Sequence, residues 1–193
     1  MAQTLSFRQA TVADCKEISK LLLRCAERFL LADFSPQGQA LLCDSLQATA
    51  IADYLHQGLD YRLAFVQHQG QPQLVGVIAL KRPCHLYHLF VDPNWHGRGI
   101  ARQLLAELWP TVQAWAAAAE QSELTVNASL YAAPVYLKWG FVADSPPRDR
   151  GGVIDQPMRL QLAHDKRQNQ FNNSIRRNPT DENLEPHTTA CEI

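Results

Sequence analysis

Apolar residues recur at helical spacing in two stretches of the N-terminal third. The first follows a short extended segment at residues 7–10 and begins at Thr11 and Asp14, which form a capping box. Its apolar face consists of Ile18, Leu21, Leu22, Cys25 and Phe29. The second begins at Ser35 and Pro36, a capping hydroxyl followed by proline at the first helical position. Its apolar face consists of Leu42, Leu46, Ile51 and Leu55. The pattern predicts one strand followed by two helices.

The middle of the chain carries three runs rich in β-branched and aromatic residues. Residues 61–68 and 74–80 flank the turn-forming segment QGQPQ, which predicts an antiparallel hairpin. A third run, residues 85–91, ends at Asp92 and Pro93, because proline offers no amide hydrogen to a strand ladder. We therefore expect three strands here.

After residue 99 the pattern alternates between helix and strand. An apolar helical stripe begins at Ile100, and Pro110 is expected to kink or end that helix. A strand at residues 124–128 precedes a short helix at 132–139, which Gly140 closes in the C′ position. Further strands are expected to begin at residues 141–142 and to occupy residues 158–162.

The composition changes at about residue 165. The last part of the chain is rich in Asn and charged residues and poor in large apolar ones, so it offers little surface to bury against its ordering entropy. We predict a domain at residues 1–164 and a disordered tail at residues 165–193.

The charge balance excludes several function classes. The chain has 18 Lys and Arg against 19 Asp and Glu and no dense basic run, which argues against nucleic acid as a partner. The longest stretch without a charge, residues 63–80, is polar in its middle, which argues against a membrane span or a membrane partner.

Cysteine usage points to a reducing compartment. The five cysteines are odd in number and lack C-x-x-C spacing, which favours free thiols over a disulfide framework or a zinc site. The first residues acquire polar groups before an apolar signal region can form. We therefore expect a cytoplasmic protein without a bound metal.

The segment with the clearest chemistry is Gly97-Arg98-Gly99, between a predicted strand and a predicted helix. Glycines allow a close approach of the backbone, and the free amides of a helix N-terminus attract anions such as a pyrophosphate. The same pattern also occurs in ordinary tight turns. A nucleoside-triphosphate loop is excluded because no Gly-Lys-Ser/Thr occurs, and a dinucleotide fingerprint fails because its third small residue would be Arg102.

Two motifs resemble those of the GNAT-superfamily N-acetyltransferases. The segment from His96 to Ala101 is similar to the family's Gln/Arg-x-x-Gly-x-Gly/Ala loop, with His in place of the first residue, and Leu89-Phe90-Val91-Asp92-Pro93 precedes it as in the family. About 30 residues later, the segment from Ser129 to Phe141 resembles Asn-x-x-Ala-x-x-x-Tyr-x-x-x-Gly-Phe, with Ser129 in place of Asn. The resemblance covers about residues 6–162.

The resemblance implies an α+β GNAT fold: a mixed, mostly antiparallel, twisted sheet with helices on both sides and a splayed central strand pair that holds acetyl-CoA. It implies that the loop amides hold the pyrophosphate and that the backbone of Leu89 and Val91 pairs with the pantetheine arm. The residues that it assigns to the cosubstrate are Leu89, Phe90, Val91, His96, Gly97, Arg98, Gly99, Ile100, Ala101 and Ser129.

The resemblance also implies the catalytic groups. Tyr136 is the expected general acid, because a phenol keeps its proton at neutral pH and can give it to a departing thiolate. His85 stands where some relatives carry a glutamate base, although a packed histidine and a base-free, water-mediated route stay open. In a regular strand, His88 would point away from His85 and Tyr87 would share its face. That parity argues against a metal site of Cys84, His85 and His88 unless a bulge realigns them.

The expected function is transfer of an acetyl group to a primary amine of a small molecule or peptide, in a ternary complex of a monomer or homodimer. The alternative is a non-catalytic acyl-CoA-binding or interaction module with the same fold. Residues 29–39 and 145–152 are the expected acceptor wall and lid, and Asp33, Asp44 and Asp53 are possible attractors for a cationic amine.

Overall fold

A computed structural model describes residues 5–162, which contain eight strands and five α-helices. The strands are β1 (Leu5–Gln9), β2 (Asp60–His68), β3 (Gln71–Lys81), β4 (His85–Val91), β5 (Glu123–Ala128), β6 (Val142–Ala143), β7 (Arg148–Arg150) and β8 (Val153–Gln161). The helices are α1 (Cys15–Phe29), α2 (Pro36–Ser45), α3 (Ala48–His56), α4 (Ile100–Ala118) and α5 (Ala133–Lys138). The expected tail at 165–193, and the boundary at residue 164, lie outside the described residues.

The strands form one sheet in the order β1-β2-β3-β4-β5-β8-β6, and β7 pairs with β8. Every pairing is antiparallel except that of β4 with β5, which is parallel and is limited to His85 opposite Thr125 and Leu86 opposite Val126. From Tyr87 onward, β4 has no partner on its β5 side. The sheet is therefore mixed and mostly antiparallel, with two central strands that diverge, as expected.

Helices cover both faces of the sheet. On one face, Leu104 and Leu108 of α4 pack with Leu89 and Val91 of β4 in a core that also contains Tyr136 of α5. On the other face, α1, α2 and α3 form a second core with Phe90 and neighbouring residues of the sheet. Because β4 contributes to both cores, both faces of that strand are buried.

The N-terminal helical region differs from the sequence prediction, because three helices replace the expected two. The chain breaks between α2 and α3, where Gln47 is extended. At the end of α2 the Ser45 hydroxyl donates to the Leu42 carbonyl at 2.7 Å, a local bond that competes with helix continuation. Leu42, Leu46 and Ile51 still pack in one core, so their spacing did not reveal the break.

Helix α4 continues through Pro110 to Ala118, so the expectation that this proline could end the helix is wrong. Pro110 is exposed, whereas Leu108, Trp109 and Val112 are buried. The buried stripe holds both halves of the helix on the sheet, and this packing outweighs the missing amide hydrogen.

Helix α5 ends where the sequence predicted. The Gly140 amide donates to the Leu137 carbonyl, and the Phe141 amide donates to the Tyr136 carbonyl, both at 3.0 Å. These two bonds form a Schellman motif. They fix the end of the helix directly after the turn that carries Tyr136.

The hairpin formed by β7 and β8 was not predicted from the sequence pattern. Its turn, Gly151 and Gly152, has φ values of +68° and +92°. This turn packs tightly on the start of α2: a Cβ added to Gly38 would lie 2.1 Å from the Gly152 carbonyl oxygen. The expected acceptor wall and lid therefore touch each other through two glycines.

None of the helices within residues 5–162 is long and apolar enough to cross a membrane.

Candidate active site

The divergence of β4 and β5 leaves backbone groups of β4 without strand partners. The Asp92 amide donates to the Val75 carbonyl of β3 at 2.8 Å, so it faces away from β5. Because amides alternate along a strand, those of Leu89 and Val91 face the β5 side, where the ladder has ended. The Val91 carbonyl already accepts a bond of 2.7 Å from Nε2 of His96.

The loop after β4 presents the N-terminus of α4. Asp92 orders its start by accepting the Asn94 amide at 3.0 Å and by pairing with Arg24 of α1. Gly97 and Gly99 then take left-handed φ values of +72° and +71°. A Cβ at Gly97 would meet nothing within 4 Å. The loop thus leaves open space beside the helix start, where an anion is stabilised.

A stack of three rings joins the two sides of the divergence. The Phe29 ring lies between His96, at a centroid distance of 5.1 Å, and Tyr131, at 4.8 Å. His96 belongs to the loop after β4, and Tyr131 to the segment after β5. Burial lowers the pKa of His96, against the opposing effect of the Val91 carbonyl. This histidine therefore both stacks on α1 and holds the end of β4.

Tyr136 is fully buried, and its hydroxyl has no hydrogen-bond partner among the described residues. Its ring packs edge-on against Trp139 and Phe141, with centroids 5.6 and 5.2 Å away. A buried hydroxyl without a partner costs free energy, and native structures pair the large majority of such groups. The hydroxyl is therefore available to a ligand group that enters the core.

A family profile described as an acetyltransferase (GNAT) domain matches residues 30–162. The chain belongs to the GNAT acetyltransferase family. This match confirms the resemblance and the fold that the two motifs imply. A comparison with curated proteins gave no match.

Solved structures share the fold. A GCN5-related N-acetyltransferase from Rhodopseudomonas palustris is 24% identical, with a TM-score of 0.66 over 84% of this chain and 99% of that one. PaiA N-acetyltransferase from Thermoplasma acidophilum, in complex with coenzyme A, is 15% identical, with a TM-score of 0.64 over 82% and 99%. YncA from Salmonella typhimurium, with its cofactor acetyl-CoA, is 20% identical, with a TM-score of 0.55 over 83% and 95%.

Ser129, which occupies the GNAT motif position of asparagine, is buried in the turn that leads into α5. Its hydroxyl oxygen accepts the Ala132 amide at 3.1 Å. The hydroxyl thereby shapes the turn before Tyr136. Its expected contact with the cosubstrate stays a prediction.

His85 lies where β4 and β5 are still paired. Its Nδ1 is 2.8 Å from the Thr125 hydroxyl, and its Nε2 is 3.5 Å from Nδ2 of Asn127. Burial, and after it the positive charges of Lys81, Arg150 and Arg148, lower the pKa of His85 to about 4, although Asp155 opposes them. The imidazole is therefore neutral at pH 7.

A bulge in β4 changes the expected parity. Ala79 pairs with His88 and Leu80 with Leu86, so Tyr87 is an extra residue. Tyr87 and His88 consequently lie on the same face, and the expectation that His88 points away from His85 is wrong. Nδ1 of His88 lies 2.9 Å from the Tyr61 hydroxyl. Within residues 5–162, no group of three or more His, Cys, Asp and Glu residues is arranged to hold a metal ion.

The two histidines of β4 predict a pH-dependent stability. Burial lowers the pKa of His88 to about 3, and burial is also the main cause that lowers the pKa of His85 to about 4. In acid the unfolded chain therefore binds more protons than the folded one. The contribution of these two histidines to the free energy of unfolding is thus fully present above about pH 6.5. It falls as the pH drops, by up to about 1.4 kcal/mol per pH unit for each histidine. Urea unfolding from pH 7.5 to 4.5 measures the slope.

His88→Gln is expected to reduce this slope, and the exposed control His56→Gln to leave it unchanged. A wild-type stability that does not vary between pH 6.5 and 4.5 would contradict the assignment of two buried neutral imidazoles.

A separate open cleft of about 470 Å³ is lined by Thr11, Leu55, Asp60 and Trp115, among others. It adjoins the end of the sheet where β2 begins, away from the loop after β4. Asp60 in this cleft is already bound by Arg62 and by the Thr111 hydroxyl at 3.0 Å. The Asp60 carboxylate in this cleft is therefore already occupied by contacts within the protein.

Proposed function

We propose that the protein transfers the acetyl group of acetyl-CoA to a primary amine in a ternary complex. The observation that carries this proposal is the buried Tyr136 hydroxyl, which has no hydrogen-bond partner within residues 5–162 and lies in the same core as Leu89 and Val91. The open space at Gly97 and the free β4 edge support it, because they fit a long ligand with an anionic end.

The residues present fit acetyl-CoA in the following way. The amides from Gly97 to Ala101 would hold the pyrophosphate at the N-terminus of α4. The backbone of Leu89 and the Val91 amide would pair with the pantetheine arm, and Phe90 fixes the strand through its buried ring. Arg98, whose guanidinium lies 4.5 Å above the Trp95 ring, adds positive charge to the loop. Bound acetyl-CoA would supply an activated thioester and a thiolate leaving group.

Tyr136 is proposed to act as the general acid. The hydroxyl is a donor at neutral pH, and in the part of the chain that the structure describes no acceptor holds its proton. The edge-on packing of Trp139 and Phe141 fixes the direction of the ring. An oriented donor in a dry site is the arrangement that general acid catalysis needs.

The amine is proposed to attack the thioester carbonyl as the free base, and the surplus proton that its nitrogen then carries is lost to solvent, so that the amide product keeps one N–H. Direct transfer to His85 would run from an ammonium group to an imidazole with a pKa of about 4, which is uphill. Both ring nitrogens also have side-chain neighbours. We therefore propose that His85 orients the groups around it and does not take the proton. The alternative is that His85 acts as the general base, as the family resemblance implies.

A pH–rate profile separates these two routes. We expect kcat/KM to rise with pH up to the pKa of the acceptor amine, without an inflection between pH 5.5 and 7.5, because His85 stays neutral throughout this range. His85→Gln should keep the shape of the profile. An inflection in the wild type that the variant loses would instead identify His85 as the base.

The test of the proposed function is the release of free thiol from acetyl-CoA with a panel of amino acids, polyamines, aminoglycosides and peptides. We expect thiol release that depends on the amine and equals the acetylated amine found by mass spectrometry. Binding of coenzyme A without turnover for any amine would favour the alternative, a non-catalytic acyl-CoA-binding module.

A further inference from the structure

The β7–β8 hairpin carries an unusual pair of arginines. Arg148 and Arg150 share one face of β7, and both pair with Asp155 of β8. Asp155 is fully buried, whereas the two arginine side chains are 46% and 48% exposed. One carboxylate thus holds two guanidinium groups, and the cluster keeps one net positive charge with N–H donors directed to solvent.

Hydrogen bonds connect this cluster to the candidate active site. Nη2 of Arg148 donates to Oδ1 of Asn127 at 2.8 Å, and the amide nitrogen of Asn127 lies 3.5 Å from His85. A single side chain therefore separates Arg148 from His85. Burial raises the pKa of Tyr87, and the charge of Arg150 opposes that rise. Arg150 therefore acts on Tyr87 as well as on His85.

The charges that act on His85 are mostly positive, because Lys81 adds to Arg148 and Arg150. Nζ of Lys81 lies 5.5 Å from the centre of the Tyr87 ring. Asp149, between the two arginines, belongs to the other face of β7 and accepts the Gly152 amide at 2.5 Å. Three cations and the single carboxylate of Asp155 therefore lie near His85.

The cluster is held rigidly before any ligand binds. Asp155 fixes both guanidinium groups, and the glycine contact between Gly38 and Gly152 docks the hairpin on α2. A binding group that is already ordered loses little entropy when a ligand arrives. Guanidinium groups are also suited to carboxylates, which they bind in a planar, two-pronged geometry.

We infer that Arg148 and Arg150 bind a carboxylate of the acceptor. The substrate is then an amine that also carries a carboxylate, such as an amino acid or a short peptide with a free C-terminus. The inference rests on the proposed function, because it names the acceptor class of the same site. The expected attractors for a cationic amine are all exposed: Asp33 lies before α2, Asp44 lies on α2 and Asp53 lies on α3.

The test compares each amino acid with its own amide, which differs only in the carboxylate. Glycine, β-alanine and γ-aminobutyrate, each with its amide, vary the distance between the amine and the carboxylate. We expect at least one acid to exceed its amide about tenfold or more in kcat/KM. The ammonium group of glycinamide is more acidic than that of glycine, so glycinamide has more free base at a given pH. In the glycine pair this difference favours the amide and therefore works against the expected result.

Variants assign the preference to the hairpin. Arg148→Gln leaves Arg150 paired with Asp155, and Arg150→Gln leaves Arg148 paired with it. Neither variant leaves the buried carboxylate unpaired, and each removes the net positive charge of the cluster. Both are expected to bring the ratio of acid to amide close to one, whereas Arg150→Lys should retain part of it. Arg8→Gln, which removes a similar arginine–aspartate pair on β1 at the far edge of the sheet, is the control and should keep the ratio.

A binding measurement keeps the inference separate from catalysis. Calorimetry with N-acetylglycine, N-acetyl-β-alanine and their amides, added to the protein without acetyl-CoA, should show binding of an acid that Arg148→Gln loses. If no amine is acetylated but an acid binds in this way, the proposed function fails, and Arg148 and Arg150 form a carboxylate-binding site that serves another purpose. Amides that serve as well as acids, or a ratio unchanged in both arginine variants, would overturn the inference.

Discussion

Tyr136→Phe is expected to lower kcat about 10²-fold or more while the binding of acetyl-CoA stays within a few-fold of wild type. The substitution removes one oxygen and keeps the ring that packs against Trp139 and Phe141. General acid catalysis contributes on this scale. Because the hydroxyl has no partner in the described residues, its loss leaves no buried group unsatisfied, and stability should not fall.

Steady-state kinetics and a thermal melt of the same preparation check this result. Leu137→Ala is a suitable control, since this neighbour on α5 is exposed and belongs to neither core. Wild-type turnover in Tyr136→Phe would refute the acid assignment. A lower melting temperature accompanied by weaker acetyl-CoA binding would instead show that the hydroxyl has a structural role.

The second large effect is expected at the loop after β4. Gly97→Val should abolish the binding of coenzyme A, because the new side chain would occupy the open space beside the first amides of α4. In the wild type, ligand at a hundredfold excess over its Kd stabilises the fold by about 2.7 kcal/mol. In a chain of this size that corresponds to a rise in Tm of about 5–10 °C.

Gly70→Val is the matched control for this experiment. Gly70 has a φ of +77° in the β2–β3 turn and, like Gly97, has nothing within 4 Å of an added Cβ. Both variants therefore carry the same backbone strain. We expect only Gly97→Val to lose the ligand-induced rise in Tm, and an equal rise in both variants would show that the loop is an ordinary turn.

The elements around the loop were predictable from the sequence because their signals are local. Pro93 ends β4, two glycines precede the apolar stripe of α4, and Gly140 ends α5. These are constraints of backbone geometry, which operate within a few residues. They were sufficient to define residues 85–91 as a strand and to place Tyr136 on its short helix.

Other features depend on contacts between distant segments, which a single sequence does not display. β7 reads Arg-Asp-Arg and has no apolar alternation, since Asp155, seven residues away from Arg148, is what holds it. The bulge at Tyr87 depends on how β3 pairs with β4. The alternation along residues 85–91 therefore predicts the wrong face for His88, and no local pattern indicates the pairing of Arg148 and Arg150 with Asp155.

The most direct test of the central claim, that acetyl-CoA binds where β4 and β5 diverge, is amide hydrogen exchange with and without coenzyme A. We expect slower exchange at Leu89 and Val91, along the loop from Gly97 to Ala101, and in the turn before Tyr136. Strands β1 and β2 should not change. Protection confined to the cleft around Thr11 and Asp60, with none at the loop after β4, would contradict the account.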